Sequence, residues 1–289
     1  MSKELSPGEH LAPIDELRLS YFVAGEGPLL FVTSPGWGIG SRYLQRGLAP
    51  LLPRFKIVFI TTRGSGSSTR PADAAQMGSA NMADDIDLLR QYLGLSHIDL
   101  FGHSNGGAIA ISYAARHGAN LRRLILTSSQ LIGFDTGKSI QAFLERVATD
   151  PRYRQAVPYV GKPRPEDDAG FRQHFLKTLP LYLHDPGANA AIFESDMGGP
   201  FSAWAFHAQA KRDRSPAAAD QTLELANISA KTLIIVGRHC WVCPVVVSEH
   251  LHAKIPDSRL EIFERSGHFP WIEEPERFFP AITGFLGEG

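Results

Sequence analysis

The sequence predicts an α/β protein in which a mostly parallel sheet is covered by helices on both faces. Short apolar runs rich in β-branched residues recur at Pro28 to Val32, Ile57 to Ile60, Ile98 to Phe101, Leu124 to Leu126, Leu233 to Val236 and Leu260 to Phe263. Runs of this length and makeup read as strands buried on both sides. Helix-length segments separate them, as crossovers between parallel strands require. The composition supports a large core: of 289 residues, 43% are hydrophobic and 20% charged, which is ordinary for a folded chain. The length suits one core with one inserted subdomain.

Taken in order, the clearest helix follows the polar starters Ser79 and Asn81. Met82, Ile86, Leu89 and Leu93 fall at helical spacing behind them, and Gly94 stands at the exit. Between about Leu131 and Asn227 the strand–helix rhythm stops. The chain there is rich in aromatic, histidine and proline residues, with helix-like stretches at Ile140 to Val147 and Gly170 to Leu179. Residues 132–226 are therefore expected to form an inserted helical cap, and residues 1–131 with 227–289 the core. Phe278, Ile282 and Phe285 then share one face of a closing helix.

Charge narrows the partners. Lysine and arginine (29) nearly balance aspartate and glutamate (30), so no one-signed field attracts a nucleic-acid backbone or an anionic membrane. A small molecule is the expected partner. The opening MSKELSPGEHLAPIDE has no apolar signal region, and no stretch reaches the roughly 20 apolar residues that span a bilayer; the expectation is a cytoplasmic protein. No cofactor or metal is expected, and the oligomeric state is not legible.

The strongest chemical signal is Gly102-His103-Ser104-Asn105-Gly106. A bare G-x-S-x-G is weak, but here it follows a strand-like run and precedes the helix-like Gly107 to Arg116. That context holds a serine in a tight turn at the end of a sheet, close to the positive end of a helix. Ser104 is thus the candidate nucleophile. A hydroxyl needs a base, and His268 in Ser266-Gly267-His268-Phe269-Pro270 lies just past the last strand-like run, where the order serine, acid, histidine would put it. His103 is expected to point away from the nucleophile.

The acid is where the pattern departs. After Leu233 to Val236 comes Gly237-Arg238-His239-Cys240-Trp241-Val242-Cys243-Pro244, and Cys240 stands where a carboxylate would orient the imidazole. A free thiol titrates near about 8.5 against about 3.9 for aspartate, so it compensates an imidazolium poorly. Cys240 and Cys243 also form C-x-x-C, readable as a redox pair or half a zinc site, but neither a thioredoxin-like βαβ context nor a second ligand pair accompanies them. An oxyanion hole would draw one N–H from Asn105 and another from Gly36 or Trp37, in the glycine-rich loop Ser34 to Ser41. In the cap, Phe193, Trp204, Phe206 and Leu179 to Leu183 suit an apolar wall, and His184 and His207 are placed to touch substrate.

With these residues assembled, the chain resembles the proline iminopeptidase-like branch of the α/β hydrolases. The resemblance covers Pro28 to Thr127 and Lys231 to Phe285, carried by PGWGIGS, RGSGSS, GHSNGG, GRHCWVCP and SGHFPWIEEPE. It implies an eight-stranded, mostly parallel sheet, Ser104 as nucleophile and His268 as base. The family's aspartate falls on Cys240, its H-G pair on Ser34-Pro35, and its aspartate before R-G-x-G on Thr61. An aminopeptidase would also need carboxylates for a substrate amine, with Glu194 and Asp196 as candidates.

Three functions fit the sequence. The first is a serine hydrolase that cleaves an ester, thioester, lactone or amide of a small, largely apolar molecule through Ser104, His268 and Cys240. The second is a non-hydrolytic cyclase or condensation enzyme of specialised metabolism. The third is a binding module, against which the retained Ser104 and His268 count.

Overall fold

The computed structural model describes residues 3–288. Eight strands, β1 (Gly8–Ile14), β2 (Leu17–Ala24), β3 (Leu29–Thr33), β4 (Lys56–Ile60), β5 (Ile98–His103), β6 (Leu121–Thr127), β7 (Lys231–Gly237) and β8 (Ser258–Phe263), form one sheet. Their order is β1-β2-β4-β3-β5-β6-β7-β8. β3 to β8 run parallel, whereas β2 is antiparallel to both β1 and β4. Each apolar run noted in the sequence lies largely in one of the six parallel strands.

The strands alternate between two apolar layers, as a period of two dictates. Phe31, Val58, Leu100, Leu124 and Ile234 face one layer, with helices α2 (Ser79–Tyr92), α3 (Asn105–His117) and α8 (Val245–Lys254) over them. Leu30, Val32, Ile57, Phe59, Phe101, Ile125 and Leu233 face the other, with α1 (Arg42–Gly47) and α10 (Pro275–Gly287). In α10, Phe278, Ile282 and Phe285 are buried as expected from their spacing. The short α9 (Pro270–Glu273) precedes it.

Between β6 and β7 the described residues form no strand but four helices, α4 (Gly137–Val147), α5 (Asp168–Thr178), α6 (Pro186–Asp196) and α7 (Ala203–Asp213). This insertion is tied to the core at the start of α2. Ser79 is not a side-chain cap there; its N–H donates to Asp213 Oδ1 at 2.8 Å and its hydroxyl to Oδ2 at 2.6 Å. A carboxylate from α7 therefore satisfies donors that a helix start leaves open. Gly94, at φ +67, ends α2 as its position predicted.

Candidate active site

At the end of β5 the chain turns through Ser104, whose φ of 59° and ψ of −128° are unusual for a residue with a side chain. Such strain costs about 1–3 kcal/mol and persists only where the surroundings enforce it. They do so here: Ser104 N–H donates to Thr127 O, and Ser104 O accepts from Gly107 and Gln130 N–H. Strand and helix meet so closely that a Cβ on Gly102 would lie 2.4 Å from Gly106 O, which explains the motif's first glycine. Ser104 is half-buried, and the N-terminus of α3 starts at Asn105.

His268 shares a cavity of about 390 Å³ with Ser104. Its loop is fixed from several sides. His268 N–H donates to Tyr182 O at 2.6 Å, and Gly267 N–H to Glu273 Oε2 at 2.6 Å. Glu273 Oε1 also takes the N–H groups of His184 and Asp185, joining the insertion to the histidine loop, while burial lifts this carboxyl to about 7. A Cβ on Gly237 would meet Gly267 O at 2.0 Å, so the loop carrying Cys240 is pressed onto the loop carrying His268.

Cys240 Sγ lies 3.1 Å from His268 Nδ1, in a buried contact. His103 does not point away. It lines the cavity, its Nε2 lies 3.0 Å from His268 O, and its Nδ1 lies 2.9 Å from the Tyr43 hydroxyl. A carbonyl only accepts, so the His103 proton resides on Nε2 and Tyr43 donates to Nδ1. Burial holds His103 near about 3 and, with repulsion from His103, holds His268 well below the imidazole value of 6.5. His268 is therefore expected to stay neutral through weak acid. Its ring-proton NMR shifts should not move between about pH 8 and 6; a titration centred near 6.5 would contradict this environment.

The second thiol was not foreseen as part of the site. Cys243 lines the cavity, and its pKa is raised well above 9.0 by burial and by Cys240, opposed by a hydrogen bond from the Ser104 side chain. Among the described residues no hydrogen bond joins Ser104 to His268; the hydroxyl rests toward Cys243 instead. Both cysteines are free thiols, and no group of three or more His, Cys, Asp or Glu among the described residues has the geometry to hold a metal.

The oxyanion loop departs from expectation in one donor. Trp37 N–H is already given to Gln209 Oε1 at 2.6 Å, so Gly36 is the remaining donor of the expected pair. Asn105 Nδ2 donates to Pro35 O at 2.8 Å and ties the serine turn to this loop. Gln209, fully buried on α7, has no local sequence signal because its role appears only when the insertion packs back. Where the resemblance led to an aspartate, Thr61 Oγ1 lies 2.9 Å from Ser41 Oγ, and where it led to the H-G pair, Ser34 Oγ lies 3.1 Å from Thr62 Oγ1. Neutral hydroxyl pairs occupy these positions.

Of the cap residues expected on the substrate wall, Tyr182, within the run Leu179 to Leu183, lines the cavity, whereas Phe193, Trp204, His184 and His207 stand elsewhere. Phe193 is fully buried against Phe269, at 3.9 Å between ring centres. Trp204 lies under the Arg70 guanidinium at 4.4 Å, and His207 Nε2 lies 3.2 Å from Pro165 O. His184 stacks on His239. All four are consumed by packing. Glu194 borders a separate surface depression, and neither it nor Asp196 lines the cavity. The aromatic walls are instead Trp37, Phe175, Tyr182, Trp241 and Phe269, with Gln130 and Arg164 as polar members.

The fold is shared with known proteins. Residues 30–275 match the family model described as alpha/beta hydrolase fold. The AB hydrolase superfamily protein YisY of Bacillus subtilis is 29% identical over 96% of this chain and 98% of its own length. The proline iminopeptidase PfmaB of Pestalotiopsis fici is 27% identical over 94% and 97%. A meta-cleavage product hydrolase, CumD, superposes with a TM-score of 0.75 at 20% identity, over 98% of this chain and 99% of that one. The chain belongs to the α/β-hydrolase fold family and is an enzyme, akin to its hydrolases, esterases and iminopeptidases.

Proposed function

We propose that the protein is a serine hydrolase that cleaves an ester, thioester, lactone or amide of a small molecule, with Ser104, His268 and Cys240 as its catalytic set. The observation that carries this reading is the strained Ser104 turn at a helix start, sharing one cavity with an imidazole that a buried thiol holds at 3.1 Å. A rotation of the Ser104 side chain away from Cys243 brings its hydroxyl to the imidazole, a tightening that substrate commonly induces. Ser104 Oγ then attacks the acyl carbon while His268 Nε2 takes its proton. The N–H groups of Asn105 and Gly36 receive the oxyanion. The proton passes to the leaving group, and water, activated by the same imidazole, releases the acid. Residues 132–226 act as a cap that closes the cavity around the substrate.

Intact-mass analysis with a fluorophosphonate tests this. One adduct on the native protein and none on Ser104→Ala supports an activated serine; equal labelling of both sinks the reading. A non-hydrolytic reaction in the same pocket is the second reading, favoured by the Ser104 side chain resting toward Cys243 and by a cysteine, in place of a carboxylate, at His268 Nδ1. It predicts a native protein that stays unlabelled.

A further inference from the structure

Three buried side-chain atoms on the walls of the catalytic cavity lack a hydrogen-bond partner among the described residues: Arg164 Nη1, Trp37 Nε1 and Trp241 Nε1. All three are donors without acceptor capacity. No aspartate or glutamate lines the cavity, and Arg164 makes no ion pair among the described residues. Its guanidinium carbon lies 6.0 Å from the Phe206 ring centre, and its Nη1 is left without a partner among the described residues. Arg214, exposed and also without an ion pair, stands on the same wall.

Arg164 is half-buried, and a buried N–H such as its Nη1 is costly to leave without an acceptor. Native proteins keep few such groups, and each calls for a cause. Two arginines, Arg164 and Arg214, on the wall of a cavity lined by no aspartate or glutamate call for a ligand that is rich in acceptors and negatively charged. A carboxylate meets both conditions, since its two oxygens match the guanidinium fork. The same cavity has no carboxylate to receive a substrate amine, so its charge is opposite to what an aminopeptidase requires.

We propose that this enzyme acts on an acyl compound carrying a carboxylate, which the Arg164 guanidinium receives while the acyl carbon lies at Ser104. Arg164 is then the specificity-determining residue, and Trp37 and Trp241 supply further donors to the same acidic group or to oxygens beside it. The largely apolar substrate expected from the sequence is replaced by one with a charged end and an apolar middle facing Phe175 and Tyr182.

This rests on the hydrolase reading only in its kinetic arm, so the test has two arms. In the first, kcat/KM is compared for mono-p-nitrophenyl glutarate, whose acyl chain ends in a carboxylate, and for neutral p-nitrophenyl valerate. The native enzyme should favour the glutarate by about 10-fold or more, as a charged hydrogen bond warrants. In Arg164→Gln that preference should collapse, chiefly through KM, and Arg164→Lys, which keeps charge without the fork, should restore part of it. In the second arm, glutarate binding to Ser104→Ala is measured by calorimetry and should weaken at least about 10-fold when Arg164→Gln is added. Binding that depends on Arg164, with neither ester turned over, would keep the carboxylate site and sink the hydrolase. Turnover without a glutarate preference, and no glutarate binding, would overturn the carboxylate site and leave the hydrolase standing.

Discussion

Replacing Cys240 with aspartate is expected to raise the rate at which Ser104 reacts with a fluorophosphonate by about 10²- to 10³-fold, a bound set by the roughly 10⁴-fold loss that follows when a triad acid is made neutral. The reason lies in the proton inventory of the 3.1 Å contact between Cys240 Sγ and His268 Nδ1. A carboxylate only accepts, so it forces the imidazole proton onto Nδ1 and leaves Nε2 free to take the serine proton. A thiol both donates and accepts. When it donates to Nδ1, the ring proton moves to Nε2 and the base faces its substrate in the wrong tautomer. When it accepts, sulfur is a weak partner for the imidazolium that forms during attack.

The gain should carry a cost in stability. Cys240 is 4% exposed and packed with Val236 and Cys243, with Val242, Val245, Leu260 and Ile262 alongside. A carboxylate placed there loses its hydration and its pKa rises. The variant's advantage should therefore grow as pH rises through that shifted pKa, while its thermal midpoint falls below that of the native protein. Cys240→Ser, of similar size but uncharged, should show no comparable gain. If Cys240→Asp labels no faster than native at any pH, the imidazole tautomer does not limit Ser104.

What the sequence made legible follows from how local each signal is. The parallel strands were readable because both faces of the sheet are covered, which demands continuous apolar runs such as Ile57 to Ile60, buried throughout. The β1–β2 hairpin was not, because β1 alternates exposed and buried positions, carries Pro13 and turns at Asp15-Glu16 rather than at a glycine. Asp15 adopts φ 44° there, a weaker turn signal than glycine. Ser104 and His268 stood out because strand ends give them a fixed address. Gln209, Arg164 and Glu273 did not, since Gln209 acts across 172 residues of sequence and Glu273 across 89, and Arg164 lines a cavity that exists only once the insertion has folded. His103 was misread because the residue before the nucleophile was judged by its neighbour and not by Tyr43 and the His268 carbonyl.

A second large effect should come from outside the cavity. Arg63, in the loop after β4, meets Asp85 on α2 through a bidentate pair, Nε to Oδ2 at 2.7 Å and Nη2 to Oδ1 at 2.5 Å, with Asp85 only 2% exposed. Its Nη1 reaches Gln76 O as well, so one guanidinium joins β4's loop to the approach of α2. Burial pushes the Asp85 carboxyl above its ordinary value in spite of Arg63. The attraction within the pair thus does not fully offset the desolvation of the acid. A pair of this kind contributes little net stability, but removing one member strands the other. Asp85→Asn should lower the unfolding free energy by about 3–5 kcal/mol in urea titration, because the buried guanidinium loses its counter-charge. Replacing both members with apolar residues, as in Arg63→Met with Asp85→Leu, should cost less than Asp85→Asn alone. A double variant as unstable as the sum of the two single variants would instead mean that Arg63 and Asp85 act independently, through Gln76 and helix packing.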